Sequence, residues 1–390
     1  MQRLGRVIVE AVVHHYGRDE LLRRLAQPFW FQCFGAVMGM DWHSSGITTS
    51  VLGALQRGLR PVERELGLSL CGGKGARSRE TPQQLLQVAE RCGLDGDGLT
   101  RTSRLIAKVD SAAVQDGFGL YLHVFIVAAD GKWCVVQQGM DTQRREARRY
   151  HWLSEGVKEF LDSPHSAIDG RNVGAIVNLA DIRAERNRRA SLALLAEGPD
   201  RLMPLLRRPS SGNAALSLFP ELEPQTVPLR ADPRAPHLQL PAHHDVRASD
   251  VVLKRLHATL AAAADRGPKD FAELLLVPGV GPRTVASLAH VAEVIHGAPC
   301  RFTDPARYSL AHGGKDRHPF PVPLKVYDRT ITVLKQAIAS ARLGNDDRLA
   351  AIRRLDEQAR GLEGAVSGPG LHEFVAREWA DSPAFDGRSV

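Results

Sequence analysis

At 390 residues the chain has room for two or three domains, and its 43% hydrophobic residues can build real cores, although aromatics are only 6%. The formal charge of +7 favours an acidic partner, nucleic acid first. Five scattered cysteines (Cys33, Cys71, Cys92, Cys134, Cys300) form no CxxC pair, which argues against a disulfide scaffold and a cysteine-rich zinc site. With no signal-peptide pattern and no apolar run of transmembrane length, a cytoplasmic protein without membrane contact is expected.

Residues 5–26 carry the apolar period of a helix through Val7, Val9, Val12, Val13, Leu21, Leu22 and Leu25. Pro28 interrupts it, and the apolar run 29–40 reads as a buried helix. A polar cluster follows, Asp41-Trp42-His43-Ser44-Ser45-Gly46. Asp41 and His43 are candidates for metal ligation or proton transfer, and the plain alternative is a capped turn before a helix over 47–57. Residues 72–82 form a Gly/basic loop leading to a helix opened by Thr81-Pro82. Backbone amides with Lys74, Arg77 and Arg79 suit a phosphate, whereas the spacing is not that of a nucleotide-binding P-loop.

Helices are predicted over 82–92 and 102–115, the latter carrying Lys108 and Asp110, with Asp116 just beyond. Two β-rich runs, 121–128 and 132–138, flank Ala129-Asp130-Gly131 and predict a β-hairpin. His123 and Gln137 are unusual polar residues inside it. Arg144, Arg145, Arg148 and Arg149 precede Tyr150-His151-Trp152, and cations interleaved with aromatics can grip phosphates and stack bases. The alternative is a basic solvated helix face, with the helix ending at Phe160. Residues 173–179 read as a strand, and 181–206 as a charged helical arm with a homodimer as one use. Residues 207–248 have linker composition.

Helices are predicted over 251–264, 270–276 and 284–296, the last two joined by Val277-Pro278-Gly279-Val280-Gly281-Pro282. Gly279 and Gly281 are expected to supply unusual φ values, and Pro282 suits the first turn of a helix. This pattern resembles a helix-hairpin-helix that contacts DNA backbone through Gly279, Val280, Gly281, Arg283 and Thr284; an ordinary helical hairpin is the alternative. A second Gly/Lys loop (310–319) carries Lys315, helices are predicted over 327–341 and 346–362, and the tail from 363 reads as loosely ordered.

Several stretches together resemble the bacterial and archaeal family called domain of unknown function 763: 29–46, 72–82, 103–116, 121–150 with its Val-Val-Gln-Gln-Gly-Met, 149–154 and 312–327. The resemblance implies a prokaryotic cytoplasmic protein and carries over no catalytic residue. It also implies a further segment, with a His-Gly-Gly-Lys-like loop, preceding the first helix in family members.

The expected fold is α+β: a helix-rich N-terminal domain with a small sheet (1–206), the linker 207–248, an all-α helix-hairpin-helix domain (249–362) and the tail 363–390. The leading functional expectation is a Mg²⁺- or Mn²⁺-dependent nuclease or other DNA-processing enzyme. Asp41, His43, Lys108, Asp110, Asp116, His123 and Gln137 form its candidate site, with Asp41, Asp110 and Asp116 as metal ligands. The Glu/Gln-x-Lys that a restriction-endonuclease-like site would carry on the second strand is missing, since Gln137-Gln138-Gly139-Met140 lacks the lysine. The alternative is a non-catalytic DNA-binding or repair-accessory protein that adds Lys74, Arg77, Arg79, Arg148, Arg149 and Lys315 to the hairpin contacts. A remote third is a DNA glycosylase using Asp304.

Overall fold

A computed structural model describes residues 1–40, 46–202, 253–307, 332–339 and 350–355. Asp41, His43, the linker stretch and Lys315 lie outside the described residues. The fold is α+β, with antiparallel sheets among many helices. No described helix is long and apolar enough to cross a membrane.

The chain opens with α1 (Gln2–Leu25), α2 (Pro28–Val37), α3 (Ile47–Leu59) and the short α4 (Glu63–Leu66). β1 (Leu68–Lys74) runs into a 3-10 turn (Gly75–Glu80) and then α5 (Thr81–Cys92). In α6 (Gly96–Lys108) the N-cap Asp95 accepts from Gly98 N at 2.9 Å, and the helix continues as a π-turn, Val109–Ala113. Five strands follow: β2 (Val114–Gln115), β3 (Gly119–Ala128), β4 (Trp133–Asp141), β5 (Glu146–Leu153) and β6 (Ala167–Asp169). Then come β7 (Ala175–Asn178), α7 (Glu185–Ala196), α8 (Leu253–Arg266), α9 (Phe271–Leu276), α10 (Pro282–His296) and β8 (Arg301–Thr303).

The main sheet has the order β1-β3-β4-β5-β6, antiparallel throughout. Apart from an irregularity in β3 between Leu120 and Leu122, its strands alternate, so each face has its own core. Leu122, Val124, Ile126, Cys134 and Val136 pack against α1, α2 and α3. Phe125, Val127, Val135, Tyr150 and Trp152 pack on the other side with α5, α6 and residues from α8, α9 and α10. Each large apolar side chain buried this way contributes about 1.5–3 kcal/mol. A second sheet, β2-β7-β8, joins strands from both sides of residues 203–252. The residues before and after that stretch therefore share one apolar core and one sheet.

Three local expectations change. Within 144–160 the regular element is the strand Glu146–Leu153 rather than a helix: Arg148, Tyr150 and Trp152 face one core and Arg149 and His151 the other, a period of two. Gly72, Gly73 and Lys74 end a strand instead of opening a loop. The supposed arm within 181–206 is the packed α7, which buries Asn187, Arg188, Ser191, Leu194 and Leu195.

Gly72 fixes how β1 meets the rest. Its φ is +98°, and an added Cβ would stand 2.3 Å from the carbonyl oxygen of His123. Gly72→Ala is expected to destabilise the protein by about 2–4 kcal/mol, from left-handed strain plus overpacking. Urea unfolding measures this, and an unchanged midpoint contradicts the account of β1.

Candidate functional site

The π-turn after α6 sets Asp110 beneath the sheet, fully buried. Such turns recur where a helix must present a functional group off its regular spacing. Asp110 Oδ2 accepts from the Gln137 side-chain amide and from Trp152 Nε1 at 2.9 Å, and Oδ1 accepts from His165 Nε2 at 2.5 Å. Because the Gln137 Nε2 faces Asp110, its Oε1 faces His123 Nδ1 at 2.8 Å. His123 therefore carries its proton on Nδ1, and Nε2 accepts from Ser103 Oγ at 2.9 Å. His123, Gln137 and Tyr150 are register partners on three adjacent strands, which is why one face presents them in a row. Burial lowers the His123 pKa below its usual value, against the opposing pull of the Gln137 hydrogen bond.

In this directed chain, Ser103 to His123 to Gln137 to Asp110, each group donates to the next, and the lowered His123 pKa disfavours transfer of the serine proton to the imidazole. Ser103 itself is only 3% exposed. Sequence reasoning found Asp110, His123 and Gln137 but missed Ser103, Trp152 and His165. No spacing signal marks them, since each joins the network from a different element.

Asp116 stands in a second cluster. Arg148 Nη1 donates to Asp116 at 2.8 Å, and its two terminal nitrogens reach Asp304 at 3.1 and 2.6 Å. Tyr150 donates to Asp116 Oδ2 at 2.7 Å, and Asp304 also accepts from Val173 N and Ala306 N at 2.8 and 2.9 Å. Burial works against the Arg148 charge, but Asp116 and Asp304 more than offset it and raise its pKa above the usual arginine value. Arg149 lies on the opposite face over the Phe31 ring, paired with Asp169 at 2.5 Å and bonded to Gln32 at 3.1 Å and His151 at 2.8 Å. Both arginines are wholly buried, so the expectation that they contact DNA is corrected. Asp304, 3% exposed and held in a bidentate ion pair, is likewise not placed to act as a glycosylase carboxylate.

Of the expected Mg²⁺ or Mn²⁺ ligands, Asp110 and Asp116 each have hydrogen-bond partners of their own, and Asp41 lies outside the described residues. Both Asp110 oxygens already accept N–H bonds, and a cation at Asp116 would face the Arg148 charge. Lys108 points elsewhere: its Nζ donates to Val280 O at 2.5 Å, and burial lowers its pKa. It ties α6 to the turn between α9 and α10.

That turn is closed by Val280 N on Val277 O at 3.1 Å, and Asp270 caps α9 by accepting from Glu273 N at 2.7 Å. Gly279 has φ +91°, as expected, but Gly281 is extended (φ −142°, ψ −174°), so only the first glycine is conformationally required. Val280 and Thr284 are buried, whereas Pro278, Gly279, Pro282 and Arg283 are exposed. Gln115, the last residue of β2, holds Pro282 O at 2.9 Å, and four residues later β3 opens at one end of the main sheet. β1 finishes at that same end with Lys74 opposite Leu122, and the β4–β5 turn lies there too. Lys74, Arg77, Arg79, Arg144 and Arg145 are all exposed on these connections. Among the described acids there, Glu80 is exposed and Asp141 half-buried beside Arg144.

Residues 1–322 match the family model described as "Protein of unknown function (DUF763)", and the chain belongs to that family. No curated protein and no solved structure matches the chain.

His123 generates a pH prediction. Its folded pKa lies below the unfolded value near 6.5, so as pH falls through about 6.5 the unfolded chain binds a proton the folded chain resists. Stability from neutral His123 is full above that pH and declines below it, by up to about 1.4 kcal/mol per pH unit. Denaturant midpoints of wild type and His123→Gln across this range should converge as pH falls; parallel profiles contradict the assignment.

Proposed function

We propose that this chain binds DNA through its phosphate backbone, across the basic end of the main sheet. In this reading α9, the turn and α10 act as a helix-hairpin-helix within a C-terminal DNA-binding unit, and the 3-10 segment after β1 and the β4–β5 turn extend the contact. The observation that carries it is the location of the Gly-Val-Gly turn, held by Lys108 and Gln115 at the same end as the exposed Lys74, Arg77, Arg79, Arg144 and Arg145. Exposed cations on separate loops suit a ladder of phosphates, and the open start of α10 suits one phosphate oxygen.

Binding without strand cleavage is favoured over the nuclease reading. Asp110 and Asp116 each already accept three N–H or O–H hydrogen bonds, and Ser103 is buried. Five free cysteines fit a reducing, cytoplasmic setting for such a protein.

Phosphate contacts release counterions, so log affinity should fall linearly with log salt by about 0.9 per contact. Replacing Arg77, Arg79 and Arg144 by Gln should weaken duplex binding at low salt and reduce that slope by about 2–3. Fluorescence anisotropy over a salt series measures both. Unchanged affinity and slope in a folded triple variant remove this end of the sheet from the account.

A further inference from the structure

At the far end of α10 from its exposed start, His290 and Glu293 lie one helical turn apart. The helix stops at Gly297, a left-handed cap with φ +57°, and the chain returns to place Cys300 beside both. Cys300 Sγ lies 3.8 Å from His290 Nδ1 and donates to Glu293 Oε2 at 2.7 Å. One ligand atom from each residue lies within 4.8 Å of the other two. Exposures are 4%, 1% and 0% for His290, Glu293 and Cys300.

We propose that His290, Glu293 and Cys300 bind a zinc ion. The donor set decides the metal: one thiolate, one imidazole and one carboxylate suit zinc, whereas Mg²⁺ and Mn²⁺ favour oxygen donors. The spacing agrees. With Zn–S near 2.3 Å and Zn–N near 2.05 Å, tetrahedral ligands stand about 3.6 Å apart, close to the sulfur–nitrogen separation observed here. The shorter sulfur–oxygen contact is that of a thiol hydrogen bond. On binding, the thiol proton passes to solvent, a Zn–S bond forms, and the carboxylate oxygen moves out by just under about 1 Å to a ligand separation.

The ion would have a structural consequence. Cys300 leads directly into β8, which pairs with β7, while His290 and Glu293 belong to the helix whose start forms the exposed turn. Zinc would staple α10 to the three-stranded sheet, beside the Asn187 side chain that already bridges Ala289 O and Ala298 O at 2.9 and 2.8 Å. Site and turn are about 12 Å apart along the helix, and none of the three zinc ligands belongs to the turn.

The test is a cobalt titration of the full-length protein after treatment with a chelator. One equivalent of Co²⁺ should develop a thiolate-to-metal absorption band that Zn²⁺ abolishes by displacement. The band should be lost in Cys300→Ser and kept in Cys92→Ser, which removes an exposed thiol. A folded wild type with no such band, or a band that depends on Cys92 instead, overturns the proposal. Should Cys300→Ser fail to fold, X-ray absorption of zinc-loaded wild type decides: one sulfur at about 2.3 Å among nitrogen and oxygen ligands supports the site, and a shell without sulfur overturns it.

Discussion

Arg148 is the point through which the two halves of the described structure are tied. It stands near the start of β5 on the sheet's second face, wholly buried, and its guanidinium is shared between Asp116 and Asp304. The two carboxylates come from just after β2 and from just after β8, and Asp304 is 156 positions away in sequence. Taking these charges out of water is costly, and only their mutual geometry offsets it. Removing one partner from such a group costs about 3–5 kcal/mol, because the remaining charges stay buried. Stability is then a weak reason for the cluster to exist. What it secures is placement: the segment carrying β8 can dock in one way.

The same logic runs through the smaller bridges. Lys108 holds Val280 O, Gln115 holds Pro282 O, and Asn187 spans two carbonyls around the end of α10. Each is a side chain from the earlier part of the chain binding backbone of the later part. Together with the shared apolar core they fix the α9–α10 turn at one end of the main sheet. A turn held this way presents its exposed residues in constant register with the basic connections beside it. That register makes a continuous phosphate-binding face a coherent reading.

Much of the architecture was legible in the chain itself. The Asp130-Gly131 turn with its flanking β-rich runs gave β3 and β4, and helical periodicity gave α1, α2, α5, α9 and α10. β5 was misread because arginine normally signals solvent: Arg148 and Arg149 hide a period of two behind charges whose partners, Asp304 and Asp169, no local window contains. β1 was missed because two of its residues are glycines, one required by the close approach of His123. At the candidate site, Asp110, His123 and Gln137 were found as polar residues in apolar surroundings. Ser103, Trp152 and His165 look ordinary in sequence and acquire meaning only where three strands and the π-turn meet. Lys108 was grouped with the carboxylates of the candidate site, but it lies two positions from Asp110, and on a helix that spacing points the two side chains apart.

The central claim is that the hairpin turn and the basic connections form one DNA face. Hydrogen–deuterium exchange on the full-length protein, with and without duplex DNA, tests it most directly. DNA should slow exchange together at the amides of 75–80 and at those of Gly279, Val280, Gly281, Arg283 and Thr284, while α7 stays unchanged. Saturating DNA that leaves the turn amides unprotected would contradict the account.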